Sequence, residues 1–296
     1  MMHVRRRHAL HQGPVVASLL RTALAAARQR PTSAPTTPTT AITGTLPPRP
    51  ADLVRDYIRF VGGSPKAYRG ELPPHLFPQW GFPLQARTLG AVPYDLTKVL
   101  NGGCRMEWNA PIAADEPLHV RTWLDDIDDN GKRAVLRQKL ITGTRAQAEA
   151  LVTTTYAIVP LPRPKDTPKV RKERARVDLD WREVGRWRLA PNAGLQFALL
   201  TGDFNPVHWV PAYARMAGFK NTINHGFSTL ARAVETLGSA LWAGDVHRWH
   251  TIDVKFTRPL VLPASVGVFV GDGEFAVGDA PGGPAYLTGT FTLREH

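Results

Sequence analysis

Two stretches of the chain, residues 51–160 and 181–296, present the same succession of signals, and that succession limits the fold more than any single residue does. Each runs from helical pattern into several strands. In the first, a helix is expected over Asp52–Val61, closed by Gly62-Gly63, then a loop rich in Pro and aromatics and a short buried helix at Leu84–Leu89. Strands follow from about Cys104 and at Leu118–Ile127, Arg133–Thr142 and Ala150–Val159, with Asp129-Asn130-Gly131 as the turn of a hairpin. In the second, a strand at Trp181–Leu189 and short helices at Ala193–Leu200 and Pro211–Met216 lead to a long helix, His225–Ala243. Its apolar residues Phe227, Leu230, Ala231, Val234, Leu237 and Leu241 fall close to helical spacing. Strands are expected after it at Thr251–Thr257, Ser265–Val270 and Ala285–Leu293, and the Gly-rich Gly271–Gly283 reads as a hairpin loop. The repeat is one of architecture, with no obvious repeat of sequence. Helices packed on one face of an antiparallel sheet, an α+β fold, accommodate it.

The segments outside these halves are basic. Residues 1–50 hold seven Arg and no acidic residue, and 161–180 form a basic, Pro-containing linker; together they account for much of the net charge of +12. Val16–Arg28 is amphipathic, and residues 31–50 read as an extended Pro/Thr-rich linker. The N-terminal stretch fits either a helix docked on the globular body or, in a eukaryote, a transit peptide. Basic blocks of this kind are solvated chain or a surface for polyanions. No zinc-finger spacing, RNA-recognition signature or basic zipper accompanies them, so nucleic acid is not the expected partner. No apolar run reaches the ~18–20 residues of a membrane helix. The single cysteine, Cys104, excludes an intrachain disulfide framework and fits a reducing, cytoplasmic setting; it reads as a small strand residue.

Chemistry concentrates in Thr201-Gly202-Asp203-Phe204-Asn205-Pro206-Val207-His208, which places a carboxylate, a carboxamide and an imidazole within six residues. Gly202 and Pro206 break any helix, and the turn chemistry of Asn205-Pro206 can bring Asp203 and His208 to face one point. A carboxylate and an imidazole sharing a water can exchange a proton with it near neutral pH. The same residues also fit a polar loop in which Asp203 or Asn205 caps a helix. Asn224-His225-Gly226-Phe227 opens the long helix. The unpaired N–H groups of a helix start can hold an oxygen that gains negative charge, and Gly226 admits a close approach; a plain cap with tight packing fits as well. In Lys255-Phe256-Thr257-Arg258-Pro259, Lys255 reads as a strand end and Arg258 stands as a candidate for phosphate contact. GxSxG, P-loop, HExxH and CxxC motifs are absent, and the remaining histidines lack metal-ligand spacing.

The stretch TGDFNPVHWVPAYARMAGFKNTINHGFSTLARA resembles the hydratase motif of the MaoC-like dehydratases, the R-specific enoyl-CoA hydratases. Gly202, Asp203, Asn205, Pro206, Val207, His208, His225 and Gly226 match its pattern, and KFTRPLVLPASV resembles the strand and turn that follow the central helix. The resemblance covers about 181–294. It implies a double hotdog, two halves each with a long helix wrapped by a curved antiparallel sheet. Residues 181–296 would be the catalytic half. Residues 51–160, which lack the Asp-x-Asn-Pro-x-His loop, would be a degenerate half forming the acyl-tail tunnel. The resemblance also favours the docking-helix reading of the N-terminus. It implies Asp203 and His208 as the catalytic dyad, Asn205 as its orienting residue, and His225 and Gly226 at the thioester carbonyl. The substrate would be a thioester of coenzyme A or acyl-carrier protein, with no metal or redox cofactor, in a monomer or homodimer. A hotdog thioesterase and a non-catalytic acyl-binding subunit are the alternatives.

Overall fold

The computed structural model describes residues 4–13, 15–17, 32–162 and 174–294. In chain order the elements are β1 (Ile42–Leu46), α1 (Ala51–Phe60), α2 (Pro78–Thr88), β2 (Leu100–Trp108), β3 (Leu118–Asp129), β4 (Arg133–Gly143) and β5 (Leu151–Pro160). After these come β6 (Arg182–Leu189), α3 (Ala193–Thr201), α4 (Pro211–Met216), α5 (Gly226–Trp242), β7 (Trp249–Phe256), β8 (Ala264–Val270), β9 (Glu274–Gly278) and β10 (Ala285–Leu293).

All ten strands join one antiparallel sheet in the order β1-β3-β4-β5-β2-β7-β10-β9-β8-β6. Read outward from the β2–β7 junction, the order on one side (2-5-4-3-1) repeats on the other (7-10-9-8-6). The junction pairs Cys104 with Val254 and Met106 with Ile252, so a pseudo-dyad passes between two core strands. Cys104 is fully buried there, and burial pushes its thiol well above the usual range. Alternation along β3 turns Leu118, Val120, Thr122 and Leu124 inward. Helix α2 packs on β3 and β4, and α5 on β6, β8 and β10, so each half wraps a sheet around one helix. The apolar stripe Phe227, Leu230, Ala231, Val234, Leu237 is the buried face of α5.

The two central helices are unequal: α5 has 17 residues and α2 has 11. Helix α2 begins six residues before the expected Leu84, because Pro78 is tolerated in a first turn; Pro83 inside the helix obscures its pattern. Three further expectations need correction. Residues 42–46 are not linker but the edge strand β1, whose Ile42 and Leu46 join the core. The Gly-rich 271–283 is not only a loop: β9 runs through it, and four of its five residues are buried, so no alternation marks it. Residues 174–177, read as linker, pack on the β9–β10 hairpin through Val177 and its bonds to Gly282 and Gly283. Most of Val16–Arg28, and 163–173 of the basic linker, lie outside the described residues.

A buried polar cluster joins the halves. Glu235 of α5 accepts from Tyr68 Oη at 2.7 Å and lies 3.2 Å from His75 Nε2, while Tyr57 Oη donates to the His75 carbonyl. Removing the carboxylate leaves buried Tyr68 Oη and His75 Nε2, 3.2 Å apart, with only each other in place of a charged acceptor. Glu235→Ala is therefore expected to destabilise by about 3 kcal/mol or more, read from the urea midpoint. A loss below about 1 kcal/mol, the scale of an exposed pair, would show that the cluster contributes nothing beyond packing.

Candidate active site

Helix α3 ends at Gly202, whose left-handed backbone (φ 82°) turns the chain away. Asp203 follows, half-buried, and its Oδ1 accepts from the Asn205 amide at 3.3 Å. Asn205 is exposed, and its side chain caps the 3-10 turn Pro206–His208 by accepting from Val207 N at 3.2 Å. That bond shapes the turn that carries His208. Trp209 Nε1 donates to the Phe204 carbonyl at 3.1 Å and closes the loop.

His208 Nδ1 lies 2.9 Å from the Ile223 carbonyl oxygen. A carbonyl only accepts, so Nδ1 carries the hydrogen and Nε2 keeps the basic lone pair. Burial lowers the His208 pKa below 6.5, against the opposing pulls of the Asp203 charge and the Ile223 bond. The ring stacks on His225 at 3.6 Å between centroids and 25° between planes. His225 is fully enclosed. Its Nε2 donates to the Asp203 carbonyl at 3.0 Å and lies 3.7 Å from the carboxylate, and its Nδ1 has no partner. Burial first, and then the neighbouring His208, push His225 down to about 3, so it stays neutral. His225 thus ties the loop to the start of α5 through the back of the site.

One carboxylate oxygen of Asp203 and one nitrogen of each imidazole lie within 4.8 Å of one another. A metal would need His225 Nε2, which is already a donor to Asp203, or its buried Nδ1. The set reads as an acid–base cluster.

Helix α5 begins at Gly226, and no side chain caps it. Its first N–H groups are therefore available to an oxyanion. A side chain at 226 would meet the Phe256 ring at 2.6 Å, so glycine here lets Phe256 pack against the helix start. From there Phe256, Phe227 and Phe82 form an edge-to-face series with centroids 5.4 and 5.2 Å apart. Phe82 borders a cavity of about 190 Å³ in the first half, lined mainly by apolar groups of α2, β2 and β5 such as Ala86, Leu100 and Ala157.

Arg258 is engaged elsewhere: its guanidinium donates to the Ala175 carbonyl at 3.2 Å, on the segment before β6. Two further features were not read from the sequence. The Ile223 carbonyl sets the His208 tautomer. Gly194 lies against the His208 carbonyl so closely that a methyl group would overlap it. A glycine in the first turn of a helix carries no signal of that role.

Residues 162–274 match the family described as "MaoC like domain". The chain carries a MaoC-like domain. An 87-residue segment is 32% identical to the Mycobacterium tuberculosis protein named 3-hydroxyacyl-thioester dehydratase X, and covers 29% of this chain and 29% of that relative. The MaoC-like dehydratase of Phytophthora capsici superposes with a TM-score of 0.69 at 20% identity, over 87% of this chain and 96% of that one. A conserved hypothetical protein of M. tuberculosis described as having a double hotdog fold superposes with a TM-score of 0.55 at 12% identity, over 87% of this chain and 96% of that one. The pseudo-dyad sheet with its two enclosed helices is that double hotdog, and the MaoC-like match falls mainly on the half that holds Asp203 and His208. Among the described residues no helix is long and apolar enough to cross a membrane.

Proposed function

We propose that this MaoC-like protein is a hydro-lyase that interconverts trans-2-enoyl and (3R)-3-hydroxyacyl thioesters of coenzyme A or acyl-carrier protein. The observation that carries the reading is the convergence of Asp203 and a neutral, oriented His208 beside the uncapped start of α5. In hydration, His208 Nε2 takes a proton from a water that the Asp203 carboxylate also holds. The oxygen adds to the β-carbon, and negative charge moves to the thioester oxygen, where the Gly226 N–H stabilises it. The imidazolium, stabilised by Asp203, returns a proton to the α-carbon. Dehydration is the reverse. The acyl tail runs along Phe256, Phe227 and Phe82 into the cavity of the first half, so that half selects the chain. One site serves one chain, whether it is a cytoplasmic monomer or a homodimer.

The assay is loss of enoyl absorbance across a series of trans-2-enoyl-CoA and enoyl-carrier-protein substrates, with the 3-hydroxyacyl product identified by mass. Release of free thiol without that product would support the thioesterase reading instead. The pH profile gives a second test. His208 acts as a base in hydration, so kcat/KM must fall as His208 becomes protonated. Because burial holds its pKa below 6.5, the acid limb of kcat/KM is expected to be centred below 6.5. An acid limb centred above 6.5 would contradict this environment for His208.

A further inference from the structure

A 3-10 helix, Arg6–Gln12, packs against α3. Side chains three apart eclipse one another in such a helix, so His8 and His11 share a face, with ring centroids 6.0 Å apart. Opposite them, Asp52 and Asp56 are one turn apart on α1. His8 is fully buried, and its Nε2 lies 2.9 Å from Asp56 Oδ2, while its Nδ1 is buried with no partner. One ligand atom from each of His8, His11 and Asp52 lies within 4.8 Å of the others. Asp52 is otherwise held by Arg7 at 2.6 Å.

We propose that His8, His11 and Asp52 form a site for a first-row divalent metal of the zinc class, which fastens the N-terminal segment to the globular body. Two neutral imidazoles and a carboxylate are a donor set zinc accepts, with water as a fourth ligand. Asp56 supplies the outer contact such a site uses. By accepting from Nε2–H it fixes the tautomer that leaves the lone pair on Nδ1, and it strengthens that nitrogen as a ligand. Metal–ligand bonds of about 2.1 Å require the three donors to close by roughly 1 Å, and Arg7 to give up Asp52. The fastened segment reaches the active-site loop. Gln12 donates to the Leu199 carbonyl and accepts from Gln79, and Val15 packs on Gly202, the residue before Asp203.

The test is a zinc titration of the full, tag-free chain against a chromophoric chelator, with Tm followed in parallel. The site predicts one equivalent bound at micromolar affinity or better, and a higher Tm with zinc. His11→Ala and Asp52→Asn should each weaken binding at least about tenfold. His208→Ala and His3→Ala should leave the stoichiometry unchanged, which separates this site from the Asp203–His208–His225 cluster and from the chain terminus. Millimolar or weaker binding, or tight binding that His208→Ala or His3→Ala abolishes while His11→Ala preserves it, overturns the proposal.

Discussion

Replacing Asp203 by Asn, or His208 by Ala, is expected to lower kcat/KM for enoyl-thioester hydration by about 10³-fold or more, with the fold intact. Asp203→Asn keeps the shape of the side chain, and its Oδ1 can still accept from the Asn205 amide. What it loses is the negative charge that stabilises imidazolium and holds the attacking water. His208→Ala removes the base and leaves the Ile223 carbonyl without its donor, which costs about 1–2 kcal/mol of stability. Circular dichroism and Tm measured beside the kinetics separate a chemical loss from a folding loss. A folded Asp203→Asn enzyme that turned over at near-normal rates would remove Asp203 from the mechanism.

Gly194→Ala is the second large effect, at a position that touches no substrate. A methyl group at 194 overlaps the backbone carbonyl of His208, and a peptide group cannot yield as the end of a flexible side chain can. Either α3 shifts or the 3-10 turn moves. Moving it breaks the Nδ1 bond to Ile223 and the stacking on His225. Overpacking here should destabilise by about 3 kcal/mol, and a displacement of ~1 Å at His208 should lower kcat about 10²-fold. Gly90, with open space around its missing Cβ, is the control, and Gly90→Ala should leave both quantities near wild type. If Gly194→Ala left kcat unchanged, the loop would have freedom that this packing denies it.

The order of elements in both halves was legible because α5 and the strands of each meander are long and patterned. Short or doubly buried elements were not. β1 alternates over only five residues inside a Thr- and Pro-rich stretch, and β9 has buried residues on both faces and so shows no period. In the site, Asp203 and His208 stood out because their residue types carry the chemistry. The tautomer of His208 did not, since a main-chain carbonyl sets it, and main-chain groups look alike in every sequence. His225 was expected at the thioester carbonyl. Its burial and its bond to the Asp203 carbonyl, which tie the loop to α5, carry no mark in the sequence. The bond of the Arg258 guanidinium to the Ala175 carbonyl is likewise not legible in its charge.

The proposed chemistry adds water at the β-carbon and not at the thioester carbonyl. Turnover of a trans-2-enoyl-CoA in ¹⁸O-labelled water, read by mass spectrometry, tests it directly. The label is expected in the 3-hydroxyl of an intact (3R)-3-hydroxyacyl-CoA. Label in a free carboxylic acid, with the thiol released and the 3-position unlabelled, would contradict it.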